Sequence, residues 1–295
     1  ISIFLYSTVK AIRKDENQKL IDRHIILSGI ALGNIVLIKM LFGYILVFML
    51  FGVGLIWIIN RTVIIYKRTF SILTVALIIT MPYLFYTYSL TGRIFYWGMG
   101  SDTLYWMSSP HEGEYGDWKL GLEKNPIHMG NYNIPGADSI LKAHHEQDLL
   151  HTEKFRGLEW DDEFRKLAIN NIKEHPLKYA ENVVYNIGRL IFHYPFSHAV
   201  QRPKILMIFP INGAILTLMI FSLIVTIINW RKIPFYMYFL LVFCFCYLGA
   251  SALITTFVRM FTIIVPVLFI WIAFVLHNAV IVNWKFKQSQ NEHCI

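Results

Sequence analysis

Apolar runs approaching twenty residues recur along this chain, and none of them contains an aspartate or a glutamate. About twenty helical residues cross the hydrocarbon core of a bilayer. Within that core only helices or closed barrels satisfy their own backbone polar groups. The runs lie at about 25–39, 41–59, 70–88, 204–229, 234–255 and 257–282. The first two are separated because KMLFG at Lys39–Gly43 interrupts a stretch too long for one span, which leaves the first short or tilted. Composition agrees, with 56% hydrophobic and 16% charged residues, against about 45–50% and 25% in soluble domains. The reading is an all-α, multi-spanning membrane protein. Residues 1–88 form N-terminal spans, 89–203 a polar segment of mixed loop and helix, and 204–295 the C-terminal spans and a tail.

Charge sets the orientation. The formal net charge is +8, and the basic residues gather at the ends of the apolar runs, as membrane topology requires. No nucleic-acid-binding module is present in the pattern. With AIRKDENQKLIDRH placed inside, successive crossings also put RTVIIYKR (61–68), WRK (230–232) and WKFK (284–287) inside. Residues 89–203 then lie outside the cytoplasm and the C-terminus within it, in a cytoplasmic (inner) membrane. The chain opens on Ile rather than Met, and the expectation is that an N-terminal part precedes it. Cys244 and Cys246 fall within an apolar run and read as small buried hydrophobes.

Two cations break the charge pattern. Lys39 and Arg259 sit at the opposite, outer ends of their spans, with no carboxylate in any span to pair with them. Such residues either snorkel or grip an anion such as a lipid-linked phosphate. Arg93, just past the 70–88 run, belongs to the same group. The lack of intramembrane acids also argues against an ion-coupled transporter, which keeps one as its ion site.

The polar segment holds nearly all remaining carboxylates. Glu112, Glu114 and Asp117 are candidates for a general base, a metal ligand or acceptor contacts, or else solubilise a loop. Trp97, Tyr105, Trp106, Tyr115 and Trp118 suit either stacking on sugar rings or an interfacial belt. His144, Asp148 and His151 share a helical face. Nothing beyond that spacing supports a divalent metal there, and no cofactor is expected. Residues 91–136 read as irregular loop, rich in Gly and Pro. From Ser139 the pattern turns helical, with Phe164, Leu167, Ala168 and Ile172 on one face, Asp161 as N-cap, and a break at His175-Pro176.

Several of these stretches resemble one family. LSGIALGNIVLIKMLFGY is similar to the short helix ending in Leu-x-Lys of bacterial GT-C membrane glycosyltransferases, of the dolichyl-phosphate-mannose–protein mannosyltransferase type (glycosyltransferase family 39). TGRIFYWGMGSDTLYWMSSPHEGEYGDW resembles their outer-loop segment. FRKLAINNIKEHPLKYAENVVYNIGRLIF resembles their helix pair around a His/Asn-Pro step, and VRMFTIIVPVLFIW their late Arg-x6-Pro span. The resemblance implies a GT-C-like helical bundle that moves a sugar from a polyprenyl-phosphate donor to a cell-envelope acceptor at the outer face of the membrane. It implies a catalytic carboxylate upstream of this chain. Lys39 and Arg259 then become donor-phosphate contacts; Arg93, by its position, joins them as a candidate, and Tyr105, Trp106, Glu114 and Asp117 are the candidate acceptor or sugar contacts. A transporter or flippase-like protein, or a non-catalytic assembly protein, is the alternative, and no internal repeat of the transporter kind is visible.

Overall fold

The computed structural model describes residues 2–13, 22–39, 41–94, 100–117, 136–198, 205–254 and 256–279. Trp97, Trp118, the 284–287 basic cluster and the tail lie outside the described residues. Among the described residues all regular structure is helical. In chain order the helices are α1 Ser2–Arg13, α2 Arg23–Ile38, α3 Leu41–Ile59, α4 Ile64–Thr91, α5 Ser101–Met107, α6 Ala137–Thr152, α7 Gly157–Glu174, α8 Pro176–Phe192, α9 Ile205–Ile228, α10 Phe235–Ile254 and α11 Val258–Ala279.

Five described helices are long and apolar enough to cross a membrane: α3, α4, α9, α10 and α11. Their outward faces keep large apolar side chains uncovered. Phe48 and Phe51 of α3, Phe85 of α4, and Ile211 and Ile228 of α9 are examples, all at least 63% exposed. A soluble protein rarely leaves so continuous an apolar surface bare, whereas lipid covers it at no cost. The expected span at 25–39 is the exception. Helix α2 has only 16 residues, about 24 Å at 1.5 Å per residue, less than the core thickness. The expected start of the 70–88 span also moves. Helix α4 begins at Ile64 and carries Lys67 and Arg68 in its first two turns.

The membrane core joins α1, α2, α3, α4, α10 and α11. Phe42 stacks with both Phe243 and Tyr247, with ring centroids 5.3 and 4.4 Å away. Trp271 of α11 donates its indole N–H to Thr226 of α9 at 3.0 Å, which satisfies a buried donor and ties these helices together. Helices α2 and α4 meet through Gly29-x-x-x-Gly33, a spacing that lets two backbones approach. A Cβ on Gly29 would lie 2.5 Å from Cβ of Val75, and one on Gly33 2.7 Å from Cβ of Ile79. We therefore expect Gly33→Val to push α2 off α4 and to destabilise the protein by about 1–3 kcal/mol. A thermal melt in detergent reads this. A melting temperature equal to that of the parent would show that the helices do not depend on this contact.

Helices α5 to α8 form a polar unit. It rests on the turn between α10 and α11 through α8, where Asn186 reaches Ala252 and Thr256, and Tyr179 donates to the Leu253 carbonyl. The expected break between two helices is present. Helix α7 stops at Glu174, His175 leaves the helical region at φ −128°, ψ 56°, and Pro176 opens α8. Two expectations change. Residues 101–107 are helical rather than irregular. Asp161 does not cap its own helix, since α7 starts four residues earlier. Its carboxylate instead accepts from the backbone N–H groups of Gly100 and Ser101 at 3.0 and 2.9 Å, and from the Ser101 hydroxyl at 2.9 Å. It caps α5 from across the fold.

Candidate functional site

The two outlying cations come together. Lys39 occupies the α2–α3 turn, and Arg259 lies in the first turn of α11. They are close enough for their charges to repel. Among the described residues neither forms an ion pair with a carboxylate. Arg259 is exposed and holds its guanidinium 5.4 Å from the Phe257 ring. Lys39 is half-buried. Two cations that repel each other, neither paired with a carboxylate among the described residues, favour an anion placed near both.

One helical turn along from them lies a small apolar cleft, with about 30 Å³ of free space, between α1, α2, α3, α10 and α11. Its lining is wholly apolar and includes Ile35, Phe42, Leu240 and Ile263. Ile35 precedes Lys39 by four residues and Ile263 follows Arg259 by four. Each cation thus stands one helical turn from a side chain that lines the cleft.

Arg93 is placed differently. It is exposed and donates to Asp162 of α7 at 2.7 Å, so it already has a carboxylate partner.

Tyr105 and Trp106 are interior residues, 1% and 3% exposed. They pack with Leu141, Leu149, Phe164 and Ala168 into the small core of the polar unit, so neither ring presents an open face to a ligand. The Tyr105 hydroxyl donates to Asp148 at 2.8 Å and contacts Nδ1 of His145 at 2.7 Å. Burial, and then the negative charge of Asp148, push this phenol well above its usual range.

Glu114 is also buried, in the loop after α5. One carboxylate oxygen meets Nδ1 of His144 at 2.8 Å. The other meets Nε2 of His145 at 2.8 Å and accepts from the Ser109 hydroxyl at 2.6 Å. Burial by itself would raise this carboxyl. The hydrogen bonds and charge of His145, with the bonds from His144 and Ser109, outweigh it and hold Glu114 well below the ordinary range.

Asp117 takes a separate role. It accepts from the backbone N–H of Ser197 at 3.1 Å and from the Ser197 hydroxyl. Its charge also favours the protonated state of nearby Arg189, which burial lowers to about 10.

The face that joins these parts belongs to α8. Asn182, Asn186 and Arg189 follow at spacings of four and three and are all fully buried. Asn182 donates to the carbonyls of Met107 and Ser109 at 3.1 and 3.0 Å. Asn186 donates to the Ala252 carbonyl at 2.7 Å and accepts from the Thr256 N–H at 3.0 Å. Arg189 donates to the Tyr115 and Pro195 carbonyls at 2.8 and 3.1 Å, and to Asn186 at 3.0 Å. One polar stripe therefore connects the loop of Glu114 and Asp117 to the helix turn that precedes Arg259. Gly116 permits this closeness: its φ is +71°, and a Cβ there would sit 2.9 Å from the Met107 carbonyl oxygen and 3.0 Å from Asn182. Compared with family profiles, curated proteins and solved structures, the chain gives no match.

Proposed function

We propose that this chain carries the donor-binding part of a GT-C-like membrane glycosyltransferase, one that moves a sugar from a polyprenyl-phosphate donor to a cell-envelope acceptor at the outer face of the membrane. The observation that carries the reading is the Lys39–Arg259 pair, without a carboxylate partner among the described residues, near a small apolar cleft. A polyprenyl phosphate has the complementary chemistry, with an anionic head and a branched hydrocarbon tail. The head would meet the two cations, Arg259 gripping it in a bidentate way, and the first isoprene units would lie along the apolar helix faces at Ile35 and Ile263. The polar unit then stands beside the head group, on the side where an acceptor approaches. The absence of acids from the apolar runs disfavours ion-coupled transport.

Binding to the purified full chain in detergent tests this without requiring transfer. A long-chain polyprenyl phosphate is expected to bind more tightly than the matching polyprenol, and more tightly than a diacyl phosphatidic acid. The first comparison reads the phosphate and the second reads the tail. Charge-assisted contacts contribute about 1.5–3 kcal/mol, so Lys39→Ala or Arg259→Ala should weaken binding about ten- to a hundredfold. Polyprenol binding as tightly as its phosphate, or unchanged affinity in both variants, would leave the two cations as interfacial anchors only.

A further inference from the structure

The polar unit contains a second constellation that the donor site does not use. His111, from the loop after α5, and His144 and His145, from α6, each offer a ring nitrogen, and these atoms lie within 4.8 Å of one another. The rings of His111 and His144 stack with centroids 3.9 Å apart. Glu114 lies against His144 and His145. Imidazole nitrogens with one carboxylate are the donor set of a borderline divalent transition metal such as Zn²⁺, rather than of Mg²⁺ or Ca²⁺.

The hydrogen bonds around His145 add an independent reason. An ionised carboxylate only accepts, so Tyr105 directs its single hydroxyl proton to Asp148. The Tyr105 oxygen can then only accept from His145, and Nδ1 of His145 must carry a proton. In the neutral ring this leaves Nε2 bare, and Nε2 faces a Glu114 carboxylate oxygen at 2.8 Å. Two lone pairs do not hold that distance without a cation between or beside them. Either an extra proton or a metal ion serves. The Asp148–Tyr105–His145 chain is also the outer support that orients metal-bound histidines, with the non-ligating N–H donated to a fixed acceptor. His144 meets the same carboxylate through the other nitrogen, its Nδ1.

We infer that His111, His144 and Nε2 of His145, with Glu114 beside them, form a binding site for Zn²⁺ or a similar divalent transition metal in the polar unit. Tetrahedral Zn²⁺ with bonds of about 2.0–2.1 Å needs its nitrogens about 3.4 Å apart, so the rings must draw inward from their present spread. His111 and His144 are half-exposed and have room to turn, while His145 is fixed by Tyr105. The same half-exposure supplies the path by which the ion enters. The ion would take the place of the proton between His145 and Glu114 and would fasten the α5 loop to α6. The site is independent of the donor reading, because none of its residues touches Lys39, Arg259 or the apolar cleft.

The test uses the full chain in detergent, stripped with a chelator and then titrated with Zn²⁺ or with Co²⁺, whose visible absorption reports its ligands. We expect one ion per chain, a Co²⁺ spectrum of low, near-tetrahedral coordination, and a higher melting temperature on loading. His111→Ala and His144→Ala should each weaken the affinity at least about tenfold. Tyr105→Phe, which removes no ligand, should weaken it about ten- to a hundredfold. His151→Ala is the control: His151 lies on the same helix but pairs with Glu163, and its removal should leave binding intact. No ion retained by the parent chain, or equal loss in His151→Ala, would overturn the site and identify the cluster as a Glu114–imidazolium pair held by a proton. Circular dichroism of each variant separates lost ligation from lost folding, and a folded His144→Ala chain that binds as the parent does would also overturn it.

Discussion

Arg189→Met is expected to detach the polar unit from the membrane helices and to cost about 3–5 kcal/mol, since each hydrogen bond from a charged group contributes about 1.5–3 kcal/mol. The side chain is fully buried and donates to three acceptors: the Tyr115 carbonyl, the Pro195 carbonyl and the Asn186 amide oxygen. Methionine keeps much of the volume and removes every donor. Two carbonyls then stay buried with one bond fewer. Asn186 loses the contact that steadies its grip on Thr256 and Ala252. Asp117 loses its nearby positive charge. Hydrogen exchange should report the damage in two places far apart in sequence, 107–117 and 251–256, because the α8 stripe touches both. Protection lost in the first segment alone would mean that α8 does not connect the loop to the membrane turn. Lysine at this position would keep the charge but not the planar fork, so it should rescue only in part.

The parts that could be read from the sequence are those whose physics is local. Long runs without Asp or Glu specify membrane helices wherever they occur, and α9, α10 and α11 fall within a few residues of the expected bounds. The His175-Pro176 break is equally local, because proline restricts the residue before it. Lys39 and Arg259 could be singled out because a lone cation at the end of an apolar run is costly wherever it sits, although 220 positions separate them. What the sequence hid depends on distant partners. Helix α5 is seven residues long, too short to carry a period, and its cap comes from Asp161, about 60 residues away. Asp161 looked like a cap because it is one, but for a different helix. Tyr105 and Trp106 sit in a Gly- and Pro-rich stretch where no alternation marks inside from outside, so a core and a surface platform read alike.

The histidines divide in the same way. His144, Asp148 and His151 stand out by spacing, yet the structure sends Asp148 to Tyr105 and His151 to Glu163. His145 carried a signal that spacing among polar residues does not reveal. It lies four residues from both Leu141 and Leu149, on the stripe that α6 buries. A histidine on an apolar stripe must find a partner or a ligand. His111 lies in a loop and had no comparable signal.

Glu114→Ala is expected to match Arg189→Met in size, about 3–5 kcal/mol, and to act within the polar unit rather than on its attachment. Glu114 is 1% exposed and meets three groups at once: Ser109, His144 and His145. Alanine leaves all three without this partner around a cavity the size of the lost side chain. The loss of favourable contacts and the orphaned polar groups act in the same direction. Glu114→Gln separates the charge from the shape. Its amide oxygen can still accept from Nδ1 of His144, and its NH₂ can donate to the bare Nε2 of His145, so most of the network survives without an added proton. The glutamine variant should therefore lose less than half of what the alanine variant loses. Both melts are to be run in detergent with a chelator present, so that bound metal contributes nothing to the comparison. Asp161→Ala gives the scale: it removes a cap from α5, and caps contribute about 0.5–2 kcal/mol. If Glu114→Ala falls to that level, the buried carboxylate does not organise the loop after α5, and His144 and His145 find their partners elsewhere.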